Sequence, residues 1–341
     1  MGTGDILILK AGDVGTLLSA REEALMDTVA MAYQAHGRGD SSLPHSTFLR
    51  FPDSEENRII GLPAYLGGPS NIAGMKWVSS FPANTLKGMD RASAAIILNS
   101  PETGRPEAIL EGSIISAKRT AASAALAARA LIDGRKTECV GLFGCGLINF
   151  EILRFLKAAL PEISSLVIHD LDETRAHHFK SKCGEVFSPL EVSIAMNQDE
   201  VFRNCALVSF ATTAVKPHVA HLSACAPGST ILHISLRDLS TGAILGADNI
   251  VDDIDHICRE QTSVHLAEQL VGNRDFIRCT LAEILTGAAP RRAGDRVAVF
   301  SPFGLGILDL AVSKLVYELA TTEGIGTTIP SFLPASWAES K

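Results

Sequence analysis

A short apolar run, Val140–Phe143, ends in Gly144-Cys145-Gly146, and a helical pattern starts at once with Leu147. A strand that turns through two glycines into a helix leaves the first helical N–H groups uncovered. Such a turn accepts a pyrophosphate at the positive end of the helix. The pattern also demands parallel neighbours joined by helical crossovers. Those neighbours are legible: strands are predicted at Ser165–His169, Ala206–Thr212, Ile231–Ser235 and Asn249–Val251, with helices over Leu147–Leu160 and Asp172–Lys182. The alternation predicts a parallel sheet covered on both faces. Asp170 ends the strand after the glycine turn, 26 residues beyond Gly144, near the spacing of the acid that binds an adenosine ribose. A carboxylate there bonds both ribose hydroxyls and repels a 2′-phosphate, so NAD is expected over NADP. Asn149 stands where the usual fingerprint has its third glycine. The plainer reading is a glycine turn followed by a helix-capping aspartate.

The remainder of the chain follows a different pattern. Residues 5–37 read as a strand, Ile6–Leu9, followed by a helix that carries Met26, Val29 and Tyr33 on its apolar side. From 42 to 112 come β-rich runs at Ser46–Phe51, Arg58–Tyr65, Ile72–Ser79, Ala94–Leu98 and Glu107–Leu110. They are divided by Leu66-Gly67-Gly68-Pro69 and by a hairpin loop over 99–104. An Ala-rich helix is predicted over Ser113–Ile132, stopped by Asp133-Gly134. A strand at Val297–Phe300 and a helix over 304–321 close the pattern. The fold expected is α/β: a Rossmann NAD-binding domain, residues 118–303, inserted in a mixed α+β substrate and dimerisation domain built from 1–117 and 304–341.

Composition narrows the function. At 341 residues, 46% apolar and 20% charged, the chain is neither disordered nor low in complexity. A net charge of −8 with no long basic run argues against a nucleic-acid partner. The acidic stretch Asp252-Asp253-Ile254-Asp255 reads as a solvated loop. Seven cysteines without a C-x-x-C fit reduced thiols and a cytoplasmic setting. The start, MGTGDILILK, lacks the basic and apolar regions of a signal peptide. Ile6 breaks a myristoylation motif, and no apolar run is long enough for a membrane span. His218, His221 and Cys225 would share a face if their segment were a surface helix. No fourth ligand accompanies them, and no metal is expected. No Gly-x-Ser-x-Gly supports a covalent hydrolase.

Four cations sit in apolar or strand-rich surroundings: Lys76 within Ile72–Val78, Arg119 within Ile114–Ala122, Arg91 within Met89–Ser93, and Arg50 at the end of Thr47–Arg50. Each alone reads as half of a structural ion pair. Together they fit a small substrate with several carboxylates.

At these residues the chain resembles the ornithine cyclodeaminase/mu-crystallin family. The resemblance rests on Gly74–Trp77 (GMKW), Ala117–Ala122 (AKRTAA), Gly144–Gly146, Asp170 and Ser301–Asp309 (SPFGLGILD). Within the family it is most similar to the dehydrogenases of 2,3-diaminopropionate biosynthesis. That likeness lies in Met89–Asn99 (MDRASAAIILN), Pro101-Glu102-Thr103, Ile234-Ser235 with Asp238, and Cys258-Arg259-Glu260.

The resemblance implies that Lys76 and Arg119 hold a substrate carboxylate. Arg91 assists, as does an early arginine, Arg50 or else Arg58. Asp238 is implied as the acid/base, with Lys76 the second choice. NAD is expected on Gly144, Gly146, Leu147, Ile148 and Asp170, with Thr120, Thr212, Ser235 and Ser301 around its ribose and nicotinamide. The implied reaction oxidises N-((2S)-2-amino-2-carboxyethyl)-L-glutamate to an imine and hydrolyses it to L-2,3-diaminopropionate and 2-oxoglutarate, for a siderophore or peptide product. Ornithine cyclodeamination, ketimine reduction and a non-catalytic binding role are the alternatives. The apolar excess is expected to cover the 42–112 sheet against a second copy, giving a homodimer.

Overall fold

The structure, a computed structural model, describes residues 4–132, 134–292 and 294–335, the side chain of Glu55 excepted. Met1-Gly2 and the expected helix stop at Asp133 lie outside the described residues. Two compact units make up the chain: Met1–Arg119 with Leu305–Lys341, and Thr120–Gly304.

The elements run β1 (Ile6–Leu9), α1 (Ala11–Leu17), α2 (Glu22–Gly37), β2 (Ser41–Ser42), β3 (Thr47–Phe51), β4 (Ser54–Leu66), β5 (Ile72–Ser80), β6 (Ala92–Asn99), β7 (Pro106–Glu111) and α3 (Ser113–Ile132). Then come β8 (Cys139–Phe143), α4 (Leu147–Ala159), β9 (Ser165–His169), α5 (Glu173–Val186), β10 (Glu191–Ile194), α6 (Gln198–Asn204) and β11 (Leu207–Phe210). Next are β12 (Thr230–His233), α7 (Thr241–Leu245), β13 (Asp248–Val251), α8 (Ile254–Ile257), α9 (Ser263–Val271), β14 (Ile277–Thr280), α10 (Leu281–Thr286) and β15 (Ala298–Ser301). The last are α11 (Gly306–Glu323) and β16 (Thr327–Ile329).

In the first unit the sheet order is β16-β1-β7-β6-β5-β4-β2, with β3 also on β4. Antiparallel pairs dominate, and β1 with β7 is the parallel one. The register Arg50↔Arg58↔Ser80↔Ala92 and Leu62↔Lys76↔Ile96 puts Arg50, Arg58, Lys76 and Ser80 on one face, because side chains alternate with period two. Helix α11 covers part of that face. A Cβ at Gly74 would lie 2.2 Å from the Ile97 carbonyl oxygen and 3.1 Å from Leu310 of α11, so only glycine admits this approach. The other face presents Leu49, Tyr65 and Trp77, all exposed.

The second unit is a wholly parallel sheet in the order β10-β9-β8-β11-β12-β15-β13-β14. Strands β8, β11, β12 and β13 are buried almost throughout, as continuous apolar runs in a doubly covered sheet must be. Phe143 stacks on Phe210 with ring centroids 4.3 Å apart. The order reverses at β8, where chain continuation on one side leads to β9 and on the other to β11. A doubly wound sheet binds its ligand in the crevice at such a point.

Some expectations need correction. The single helix expected within 5–37 is two, α1 and α2, because the chain turns at Ala20 with φ +53°. The segment holding His218, His221 and Cys225 is not a helix; it is irregular, with one bridge from Val219 to Leu239. Asp252 is not in a solvated loop. It is fully buried and accepts N–H bonds from Asp253, Phe303 and Gly304. Strands β11 and β12 stop before Thr212 and Ser235, which lie in the loops beyond them. The unforeseen strands β2, β10, β14 and β16 are all short, and each stands at an end of its sheet order. Short edge strands pair through backbone alone and leave little apolar periodicity to read.

Candidate active site

In the first unit, Lys76 of β5 and Arg119 of α3 meet at Asp309 of α11. Lys76 Nζ lies 2.7 Å from Asp309 Oδ2, and Arg119 Nε 3.1 Å from Oδ1. Lys76 also donates to Ser116 Oγ at 3.2 Å, which Arg119 Nη2 reaches at 3.4 Å. The side chains are 3%, 12% and 0% exposed in the order Lys76, Arg119, Asp309. Buried charges persist only when paired, and α11 supplies the one carboxylate to two cations. Burial pushes the Lys76 ammonium down to about 8, with Arg119 adding to the effect and Asp309 opposing it. For Asp309, burial works upward, but Arg119 and Lys76 outweigh it and hold the carboxyl below the usual range. With Lys76 protonated the cluster carries one positive charge in excess, which a substrate carboxylate would neutralise.

Arg50 on β3 and Arg91 just before β6 lie on other elements than the β5, α3 and α11 that carry this cluster. Arg50 faces Arg58 across β3 and β4, its guanidinium 5.2 Å over the Phe48 ring. Arg91 precedes β6; burial, and then the neighbouring Arg58 charge, lower its pKa. Asp309 is the member of the site that residue-by-residue reading passed over. Its signal was a lone carboxylate inside the apolar run Gly306-Ile307-Leu308-Asp309-Leu310-Ala311-Val312, at the end of the SPFGLGILD motif.

In the second unit, Gly144 takes φ +90°, and a Cβ there would meet the Ala211 oxygen at 2.5 Å. Gly146 has nothing within 4 Å of its Cβ position, so the turn leaves open space in front of the α4 N-terminus. Leu147 and Ile148 open that helix. Asn149 explains the missing third glycine. Its Nδ2 donates to the carbonyls of Phe143 at 2.8 Å and Gly144 at 2.7 Å, and its Oδ1 accepts from Ser209 at 2.8 Å. The side chain thus straps the turn to the sheet. Asp170 Oδ2 accepts the Cys145 N–H at 2.7 Å, and Oδ1 accepts from Asp172 at 3.0 Å. Each oxygen keeps a lone pair for a ribose hydroxyl. An open glycine turn, free helical amides and a carboxylate tied beside them fit a dinucleotide with unphosphorylated ribose.

Asp238 is fully buried. Thr212 Oγ1 and Ser235 Oγ donate to its two oxygens. His218 Nε2 lies 3.1 Å from Oδ1, and His233 Nε2 lies 3.4 Å from Oδ2. Burial raises its pKa, but His233, Ser235 and Thr212 together lower it by more, well below the carboxylate range. A carboxylate so enclosed orients its donors; a base that works near neutrality needs a pKa closer to 7. Ser301 is buried against His233 Nδ1 at 3.2 Å, whereas the His218 side chain is 37% exposed. Thr120 lies on α3, immediately after Arg119. Among the described residues no group of His, Cys, Asp and Glu is arranged to hold a metal ion.

A doubly wound parallel sheet with this turn defines a dinucleotide-binding unit; the first unit adds a buried Lys-Asp-Arg cluster on a mixed sheet. The chain belongs to the ornithine cyclodeaminase/mu-crystallin family, whose model matches residues 5–324. It is 28% identical over 333 residues to the N-((2S)-2-amino-2-carboxyethyl)-L-glutamate dehydrogenase of Staphylococcus aureus, covering 95% of this chain and 98% of that protein. Among solved structures it is similar to the Δ1-pyrroline-2-carboxylate reductase of Thermococcus litoralis in complex with NADH and L-proline. The TM-score there is 0.87 at 26% identity, over 95% of this chain and 100% of that one. An archaeal alanine dehydrogenase dimer with bound NAD matches with a TM-score of 0.84 at 29% identity, over 95% and 99%.

Proposed function

We propose that the protein is an NAD-dependent oxidoreductase acting on a CH–NH bond, with N-((2S)-2-amino-2-carboxyethyl)-L-glutamate as substrate. Bound NAD⁺ would accept a hydride from the glutamyl Cα. The resulting imine takes up one water and its C–N bond breaks, so substrate, NAD⁺ and water become L-2,3-diaminopropionate, 2-oxoglutarate, NADH and a proton. Lys76 and Arg119 hold one carboxylate, with Asp309 fixing both cations in place. Lys76 also exchanges the proton at the amine or the attacking water, since its pKa of about 8 suits transfer near neutrality. Asp238 orients Thr212, Ser235 and His218. Gly144, Gly146 and the first amides of α4, from Leu147 and Ile148, receive the pyrophosphate, and Asp170 the ribose hydroxyls. Thr120, Thr212, Ser235 and Ser301 line the remaining cofactor positions.

The observation that carries this reading is the surplus of cations on the first unit's sheet. Arg58 and Arg91 stand in addition to the Lys76–Arg119 pair, more than a monocarboxylate amino acid requires. The full-span likeness to the S. aureus enzyme supports the same substrate. We assign the exposed apolar face of that sheet to a homodimer, as the alanine dehydrogenase dimer supports. The seven free thiols suit a cytoplasmic enzyme, and the product suits a siderophore or peptide pathway. A second reading, an oxidoreductase of a monocarboxylate amino acid or cyclic imine, is favoured by the likeness to the structure holding NADH and L-proline.

Purified protein with NAD⁺ should form one NADH per 2-oxoglutarate from the tricarboxylate, with no comparable rate on L-alanine or L-proline. Proline and ammonia from L-ornithine without net NADH, or turnover confined to the monocarboxylates, overturns the reading.

A further inference from the structure

Two thiols meet at the end of the second unit's sheet that lies away from the glycine turn. Cys139 opens β8, and Cys205 follows the last residue of α6. Leu207 of β11 pairs with Val140 of the adjacent, parallel β8, so both cysteines stand where their strands begin. Cys139 Sγ lies 3.0 Å from Cys205 Sγ. Carbon atoms in packed contact lie about 3.5–4.0 Å apart, and sulfur is larger, so this is more than packing: the S–H of one reaches the sulfur of the other. Gly141 makes room for the approach. A Cβ there would lie 2.5 Å from Val201 Cγ1 and 3.3 Å from Cys205 Cβ, so a side chain at 141 would push Cys205 off β8. Cys139 and position 141 share one face of the strand, because side chains alternate along it.

The two thiols are unequal. Cys139 is half-buried and Cys205 is buried. The hydrogen bond from Cys205, helped by Ser165, brings the Cys139 thiol down to about 7 against the opposing effect of burial. The same contact, together with burial, pushes Cys205 up. Burial pushes Cys145, Cys183, Cys225 and Cys258 up to about 12 and Cys279 up to about 11. Of the seven, Cys139 is the thiol that is both reachable and a thiolate near neutrality.

We propose that Cys139 and Cys205 are a peroxide-oxidisable pair that closes to an intramolecular disulfide, Cys139 attacking and Cys205 resolving. The Cys139 thiolate attacks hydrogen peroxide and the O–O bond breaks. Cys139 becomes a sulfenic acid, and the departing hydroxide takes a proton from solvent to give water. The Cys205 sulfur then displaces the hydroxyl from Cys139: the S–S bond forms, the S–O bond breaks, and the Cys205 proton leaves with that oxygen as a second water. One peroxide is reduced to two waters and two thiols are oxidised. The disulfide stops oxidation short of irreversible sulfinic acid, and a thiol reductant restores the pair. Such transient oxidation is compatible with a reducing compartment. The pair lies about 17 Å along β8 from Gly144, and the inference is independent of the reaction assigned above.

The test exposes the whole reduced protein to a few equivalents of hydrogen peroxide at neutral pH, then alkylates it with iodoacetamide in denaturant. By intact mass, alkylated thiols should fall from the seven free ones by two, and dithiothreitol before alkylation should restore them. A non-reduced peptide map should hold one cross-linked pair, carrying Cys139 and Cys205, two hydrogens lighter than its separate peptides. In Cys205→Ser, dimedone should label Cys139, and prolonged peroxide should leave a sulfinic acid there that dithiothreitol does not reverse. In Cys139→Ser, Cys205 should keep its thiol. Wild type that retains all its thiols, under conditions that oxidise free cysteine completely in a parallel tube, overturns the proposal. So does a cross-link between other cysteines, or a Cys139 sulfenic acid that persists in wild type without closing on Cys205.

Discussion

Lys76 shows how one residue acquires chemistry from its surroundings. On β5 it is an ordinary strand lysine, but α11 and α3 close over it, and burial lowers its pKa from 10.5 to about 8. The unfolded lysine therefore binds more protons than the native one between these values, so its charge costs stability below pH 8 and the cost fades as pH rises toward 10.5. Wild type should gain stability relative to Lys76→Met between pH 7.5 and 9.5 in urea titrations. Equal shifts for the two proteins would show that Lys76 titrates normally. Lys76 and Arg119 were readable as candidates because cations in apolar runs are conspicuous. Asp309 was not, since its partners lie 233 and 190 residues away in sequence. Asp238 was readable as a position, but its enclosure by Thr212, Ser235, His218 and His233 depends on the end of β12 and on the loops that follow β11 and β12.

At the scale of elements, the strand–turn–helix β8–α4 repays its glycines in two different ways. Gly144 is held by backbone geometry, with φ +90° and the Ala211 carbonyl in the way of any Cβ. Gly146 is free of both constraints, so its value lies in what approaches the helix end. Gly144→Ala should lose about 1–3 kcal/mol of stability. Gly146→Val should melt near wild type and weaken NAD binding by at least about tenfold, measured by calorimetry. If Gly146→Val binds NAD normally, the pyrophosphate does not sit at this turn. The alternation of β8, β9, β11, β12 and their helices was legible because buried parallel strands are apolar throughout. Strands β10, β14 and β16 were illegible because Glu191–Ile194, Ile277–Thr280 and Thr327–Ile329 mix polar and apolar residues and acquire strand geometry from a neighbour's backbone.

For the molecule as a whole, the proposed homodimer would give the mild apolar excess a place on one face of the first unit's sheet. Leu49, Tyr65 and Trp77 are exposed there, and the homodimer proposed above would cover them. The Leu49→Asp/Trp77→Asp double variant should sediment as a monomer where wild type sediments as a dimer, with the secondary structure retained. A wild type that sediments as a monomer, or a double variant that stays dimeric, removes this face from the assembly. None of the helices among the described residues is long and apolar enough to cross a membrane.

By itself the sequence determined the local and the periodic: a glycine turn after an apolar strand, an Ala-rich helix at Ser113–Ile132, alternating strands between 42 and 112, and the motifs that carry family membership. Each follows from forces acting within a few residues, such as φ preference, capping and the period of apolar side chains. Tertiary structure alone decided which charges meet. It gave Lys76 and Arg119 a shared carboxylate in Asp309 and enclosed Asp238 among four partners. Electrostatics in a protein interior depends on distance and burial, and neither is defined until distant segments pack.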